Sequence, residues 1–278
     1  MKPLVSILIA AYNAEPWIAE TLESALAQTW TNLEIIVVDD GSTDESLAIA
    51  KRYESRHVKV MSQPNQGASA ARNVAYQACR GDYIQYLDAD DLLAPDKIEQ
   101  QVIHLKNAQD YVAAGQWGRF YQSVEDVAFV QEPLWNDFLP VEWLICSWMG
   151  GGMMHPAAWL LPRSIADLAG AWNESLSLND DGEYFCRVVL ASQGVKFCWG
   201  AKSYYRSGLG SSLSGAKSRS ALESAFQSLE LATQSLLTVE NSQRTRQVSA
   251  AAFQRFVYST YPKAMDLVMQ AEDKVQFL

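Results

Sequence analysis

Apolar residues in this chain gather into short runs separated by amphipathic stretches, and that alternation predicts the architecture. Val5–Ala11 is a short, mainly apolar and partly β-branched run, the pattern of a strand buried on both faces. Residues 14–28 follow with Trp17, Ile18, Leu22, Ala25 and Leu26 at helical spacing. Residues 33–38 predict a second buried strand, and Ser42 a helix start with Glu45 placed for a capping box. A strand at 58–61, a helix at Ala68–Ala78, a strand at 83–87 and a helix at 95–107, with Pro95 in its first turn, continue the series. Strand and helix alternating at short intervals predict an α/β fold: an open, mainly parallel sheet flanked by helices.

After about residue 110 the pattern changes. Residues 111–122 and 157–161 predict strands, and residues 181–192 a helix. Residues 143–155 mix aromatics, methionines and three glycines, and read either as an acceptor-side loop or as an apolar core segment. From Lys217 onward the chain is helical, with Leu222, Phe226, Leu229 and Leu236 on one face. A second helix covers 245–261, and Pro262 restarts a third. The glycine–serine cluster at 207–215 marks the boundary before this tail. The expected division is therefore a domain over 1–215, with halves 1–110 and 111–215, and a C-terminal helical extension over 216–278.

Charge narrows the partners. The formal net charge of -10 repels nucleic acid and anionic headgroups, so no nucleic-acid partner is expected. An anionic substrate would be repelled as well unless local cations intervene. The four cysteines, Cys79, Cys146, Cys186 and Cys198, lack zinc-type spacing and suit a reducing compartment. The N-terminal apolar run enters a helix without a cleavage site, and the stretch from Trp143 to Met154 is too short to span a bilayer. A soluble, cytoplasmic protein is expected, with peripheral association at the inner face of the membrane left open. The pattern does not specify an oligomeric state.

In open α/β sheets, ligands bind at the carboxyl ends of the strands. Tyr12-Asn13, Asp39-Asp40 and Asp88 to Asp91 all fall at such ends. Asp88-Ala89-Asp90 directs two carboxylates to one side of an extended segment, which suits a divalent cation neutralising a diphosphate. The plain alternative is a solvated turn before the next helix. Asp39 and Asp40, at a buried strand end, need donors, and the ring N–H of a nucleobase would supply one. Tyr12 could stack on that base. Arg72, on a helix of small residues, could contact phosphate or base, or serve as an ion-pair partner. At Asn179-Asp180-Asp181-Gly182-Glu183, Asp180 reads as N-cap and Glu183 pairs with Arg187. Asp181 is left over as a general base, held ionised by the helix N-terminus. His155 reads as packed or hydrogen-bonded rather than catalytic.

Four ordered segments carry a family resemblance: Val5-Ser-Ile-Leu-Ile-Ala-Ala-Tyr-Asn13, Ile36-Val-Val-Asp-Asp-Gly-Ser-Thr-Asp44, Gly67-Ala-Ser-Ala-Ala-Arg-Asn73 and Tyr86-Leu-Asp-Ala-Asp-Asp91. Together they resemble the successive signatures of family 2 inverting glycosyltransferases over roughly residues 4 to 110, with a weaker match to about 215. The resemblance implies a GT-A fold, a nucleotide-diphospho-sugar donor, most often a UDP-sugar, and Mg or Mn. It places Tyr12, Asp39 and Asp40 at the base and Arg72 near base or diphosphate. Asp88 falls near ribose and metal, Asp90 on the metal, and Asp181 at the position of the general base. It further implies a saccharide or glycolipid acceptor, in the setting of surface polysaccharide or glycolipid assembly. The histidine that many members carry after a late Tyr-Arg pair is absent from Tyr205-Arg-Ser-Gly208, a departure that bears on closure over the phosphates. Two other readings stay open at this level: a non-catalytic nucleotide-sugar-binding scaffold and a metal-dependent phosphatase. A dinucleotide-dependent dehydrogenase would need a glycine-rich turn after its first strand, and Ala10-Ala-Tyr-Asn-Ala14 is not one.

Overall fold

The computed structural model describes residues 2–209 and 218–278. Its first half alternates β1 (Val5–Ala11), α1 (Ile18–Leu26), β2 (Leu33–Asp39), α2 (Ser46–Lys51), β3 (Val58–Ser62), α3 (Ala68–Ala78) and β4 (Tyr83–Asp88). Then come β5 (Leu92–Leu93), α4 (Lys97–His104), β6 (Val112–Phe120), α5 (Pro140–Trp148), β7 (Trp159–Pro162), α6 (Arg163–Ala169), α7 (Asp180–Ala191) and β8 (Val195–Arg206). Three helices close the chain: α8 (Arg219–Val239), α9 (Gln243–Thr260) and α10 (Met265–Phe277).

The strands form one sheet in the order β3-β2-β1-β4-β7-β6-β8-β5. From β3 to β4 every pair is parallel. Beyond β4 the sheet is mixed: β7 runs antiparallel to β4 and β6, β5 antiparallel to β8, while β6 and β8 are parallel. Alternation along the central strands feeds two apolar layers. Ile7, Ile9, Ile35 and Val37 face one layer, and Leu8, Ile36 and Val38 face the other. Register then sets the chemistry, because Ala11 pairs with Asp39 and Ala10 with Asp88, so both acids flank the end of β1.

Several local expectations shift. The helix expected from Ser42 begins at Ser46, because the Asp44 carboxylate accepts from the Ser46 amide at 3.0 Å while Ser42 Oγ accepts from the Asn13 amide at 3.0 Å. Ser42 therefore ties two loops together and caps nothing. The core reading prevails for Trp143 and Leu144, which are buried in α5, Trp143 edge-on to Trp159 at 5.3 Å. Lys97 is wholly buried and donates to Gln85 Oε1 and, at 2.9 Å, to the Trp159 carbonyl, fastening α4 to β4 and β7.

The boundary expected at 207–215 falls mainly outside the described residues. The helices after it pack on the sheet-bearing half: Ala232 and Leu236 of α8 and Val248 of α9 join the apolar layer of Trp172, Tyr184 and Phe185. Phe226, Phe253, Phe256, Leu267 and Val268 form a further cluster among α8, α9 and α10. No helix among the described residues is long and apolar enough to cross a membrane.

Candidate active site

Two loops are stitched together beyond β1 and β2. Asn13 adopts φ 48°, and its Oδ1 accepts from the Thr43 amide at 2.8 Å. Gly41 has φ 73°, and a Cβ there would lie 2.7 Å from the Asn65 backbone nitrogen, so only glycine fits. Asp40 is buried, and both of its oxygens are taken. Oδ1 accepts from Gln63 Nε2 at 2.7 Å and the Gln66 amide at 2.9 Å, and Oδ2 from the Gly67 amide at 2.8 Å. Asp40 thus shapes the loop that leads into α3. Asp39 differs: Oδ2 accepts from the Ser42 amide at 3.2 Å, whereas the buried Oδ1 has no partner among the described residues. An orphaned acceptor of this kind is costly unless a ligand donates to it. Tyr12, the residue that follows β1, is half exposed.

Arg72 joins the two acidic ends of the site. From α3, its Nη2 donates to Asp88 Oδ1 and its Nη1 to Asp180 Oδ2, both at 2.8 Å, and the guanidinium stacks 4.4 Å over the Trp172 ring. Ser69 Oγ adds a 3.0 Å bond to the same Asp180 oxygen. Asp180 is therefore not the N-cap that its position suggests; Asn179 holds that place at φ 61°, without a side-chain cap. The expected pair from Arg187 to Glu183 is present at 2.6 Å. Asp181 follows at the helix start, partly exposed, with Oδ1 accepting from the Gly182 amide at 2.9 Å. Its pKa is not held low. Burial first, then the neighbouring Asp180 and Asp88, push it up to about 6 against the pull of Arg72. The helix N-terminus is outweighed.

Asp88 and Asp90 bracket the turn after β4. Thr21 of α1 fastens that turn, its Oγ1 lying 2.9 Å from the Ala89 carbonyl and 3.0 Å from that of Asp91. Burial, Asp91 and Asp88 push the Asp90 carboxyl up to about 7. Asp91 is wholly buried and serves the scaffold: Oδ2 meets His155 Nδ1 at 2.9 Å, and Oδ1 accepts from the Arg206 amide at 2.9 Å. His155 Nε2 meets Ser203 Oγ at 2.9 Å, and burial depresses its pKa to about 4, so the imidazole is neutral and structural. Arg206, between Trp17 and Phe120, donates from Nε to the Asp90 carbonyl at 2.9 Å and from Nη2 to Glu20 at 2.5 Å. Asp180, Ser69 and Arg206 were not singled out as site residues by the sequence. The small-residue helix around Arg72 pointed toward Ser69 and Asp180, and the late Tyr205-Arg206 pair toward Arg206.

No group of three or more His, Cys, Asp or Glu side chains forms a ready-made metal site among the described residues. The donor set of Asp88 and Asp90 fits a hard cation of another kind. Mg and Mn commonly take one or two carboxylates and complete their shells with water and substrate phosphate. Asp90 supports that fit, since its carboxylate is crowded by two other acids and has no salt bridge among the described residues.

A family model described as "Glycosyl transferase family 2" matches residues 6–166. The UDP-Glc:alpha-D-GlcNAc-diphosphoundecaprenol beta-1,3-glucosyltransferase WfaP of Escherichia coli is 45% identical over 194 residues, covering 69% of this chain and 72% of that protein. Chondroitin synthase of Escherichia coli is 50% identical over 99 residues, 35% of this chain but only 14% of that one. Matches to several other curated relatives likewise span less than half of their length. Among solved structures, S. aureus TarS 1-349 in complex with UDP-GlcNAc superposes with a TM-score of 0.80 at 20% identity, over 99% of this chain and 81% of that one. At that identity the likeness establishes the fold, which is of the GT-A type.

Proposed function

Since the chain belongs to glycosyl transferase family 2, we propose that it transfers a sugar from a UDP-sugar to a hydroxyl of a saccharide or glycolipid acceptor, with inversion at the anomeric carbon. The observation that carries this reading is the pair of 2.8 Å bonds by which Arg72 ties Asp88 of the carboxylate pair to Asp180, next to the candidate base. A donor site and a proton acceptor are thereby held at one strand edge.

Each residue then has a task. Asp39 Oδ1 accepts the ring N–H of the base, Tyr12 stacks on it, and Asp40 holds the loop that forms the wall. Arg72 keeps the donor end and the base end at a fixed separation. Asp88 and Asp90 would hold a divalent cation, Mg or Mn, which supplies positive charge to the departing diphosphate. Asp181 takes the proton from the acceptor hydroxyl as its oxygen bonds to the anomeric carbon. The bond from that carbon to the diphosphate breaks on the opposite face, and the electron pair leaves with the nucleotide. A pKa of about 6 suits a base that must be ionised at neutral pH yet still attract a proton. The helices within residues 218–278 act as an extension that braces α7. The names of two relatives, a diphosphoundecaprenol glucosyltransferase and a chondroitin synthase, support a setting in polysaccharide or glycolipid assembly.

The test is a screen of UDP-sugars, with and without Mn, for thermal stabilisation and sugar release. A donor at a hundred times its Kd adds about 2.7 kcal/mol of stability. Stabilisation that needs Mn, together with slow donor hydrolysis, is expected. If no nucleotide-sugar stabilises the protein or is consumed, the reading fails; stabilisation without turnover toward any acceptor would favour a binding scaffold.

A further inference from the structure

A second concave site lies beside the one described. Between the end of β6 and residues 128–132, a cleft of about 580 Å³ is lined by Trp117, Arg119, Phe120, Tyr121, Val130 and Glu132, among others. That is the size of a small-molecule site. One wall is aromatic and the other holds a cation. The Arg119 guanidinium lies 5.3 Å from the Trp117 ring and 5.1 Å from that of Tyr205, and Nη1 donates to Ser207 Oγ at 3.0 Å. It makes no salt bridge among the described residues. Glu132, also in the wall, forms no salt bridge with it: its carboxylate accepts from Trp117 Nε1 and the Met153 amide, both at 3.3 Å, and burial pushes its pKa up against those bonds and the pull of Arg119.

Arg119 is exposed, and its guanidinium lies against the faces of two rings rather than on a carboxylate. Four of its five N–H donors stay available to a planar or tetrahedral anion. The cleft also adjoins the acidic turn. The Trp117 ring is 5.8 Å from that of His155, which bonds Asp91, and Phe120 supports Arg206, which bonds the Asp90 carbonyl. One layer of side chains separates the two sites.

We propose that this cleft is the acceptor subsite, with the acceptor sugar on the exposed Tyr121 ring and Arg119 binding a phosphate carried by that acceptor. The inference rests on the transferase reading above. The same phosphate chemistry exists in the donor diphosphate, and the experiment must tell the two apart.

Wild-type protein and Arg119→Gln are compared with Mn and the active UDP-sugar. The acceptors are a panel of octyl glycosyl diphosphates and the matching neutral octyl glycosides. The wild type is expected to prefer the diphosphate acceptors, and Arg119→Gln to raise their KM roughly tenfold or more, the scale of a lost charge-assisted hydrogen bond. The KM for neutral glycosides and the Kd for UDP, measured by calorimetry, should move less than about twofold. Arg119→Lys should recover part of the preference, because it restores charge without the fork. The proposal is overturned if the diphosphate preference survives Arg119→Gln, if the wild type shows no such preference, or if UDP affinity falls instead, which would give Arg119 to the donor. If neither protein binds or hydrolyses any UDP-sugar, the transferase reading fails first, and this subsite with it.

Discussion

The two acidic ends of the site are built by different means. At the carboxyl ends of β1, β2 and β4, neighbouring strands place the acids: the register of these buried, mainly apolar strands pairs Ala11 with Asp39 and Ala10 with Asp88. At the start of α7, Asp180 and Asp181 are placed by distant partners. Ser224 Oγ of α8 accepts from the Ser177 and Leu178 amides, and Ser228 Oγ is bonded to both the side chain and the carbonyl of Asn179. The donor end is thus a product of local chain, and the base end a product of tertiary docking. Changes at the two ends should therefore fail differently.

The largest expected effect is at Asp181. Asp181→Asn removes the proton acceptor but also relieves the repulsion from Asp180 and Asp88, so the fold should be as stable as before or more so. Turnover should fall by about 10²–10⁴, the usual worth of a general base, while UDP affinity holds. The wild-type pH profile should agree with this. Burial, Asp180 and Asp88 raise the Asp181 pKa to about 6, with Arg72 opposing. The active, ionised form is then lost as pH falls through that value, and kcat/KM should drop about tenfold per unit below it. An acidic limb that is unchanged in Asp181→Asn would remove this residue from the mechanism.

The same contrast explains what was legible in the sequence. Periodicity located the strands from β1 to β4 and the acids after them, because a buried parallel strand is written in consecutive apolar residues and ends where the polar ones begin. β8 was not found: Gly200, at φ 95°, interrupts its twelve residues, and its register with β6 shifts at Gly115 and Gln116. Asp180 was misread as a cap because local pattern is blind to Arg72, 108 residues earlier. The orphaned oxygen of Asp39 is also invisible in one dimension, since it depends on which groups fail to arrive.

Arg72 spans both regions, and its removal should hurt both. Arg72→Met would leave Asp88 and Asp180 facing each other without the guanidinium between them; their side chains are only 29% and 13% exposed. Removing one partner from a largely buried network costs about 3 kcal/mol, read as a lower denaturant midpoint at an unchanged slope. Arg72→Lys should recover charge but not the fork that reaches two carboxylates at once. If both variants are as stable as the wild type, Arg72 does not join the two ends.

The smallest effect tests whether docking of the tail matters to chemistry or only to stability. Ser228 is wholly buried on α8, donates to the Asn179 carbonyl at 2.6 Å and accepts from Asn179 Nδ2 at 2.8 Å. Those bonds hold Asn179 at φ 61°, a conformation asparagine tolerates at modest cost, and so aim the first turn of α7. Ser228→Ala should cost about 1 kcal/mol of stability and lower kcat severalfold, with UDP affinity unchanged because β1, β2 and β4 are untouched. Ser249→Ala is the matched control. That hydroxyl is equally buried but bonds the Thr245 carbonyl of its own helix at 2.8 Å, so a similar loss of stability should leave kcat intact. If Ser228→Ala and Ser249→Ala behave alike, the tail merely stabilises the protein. If only Ser228→Ala slows turnover, the C-terminal helices belong to the catalytic apparatus, because the position of Asp181 then depends on them.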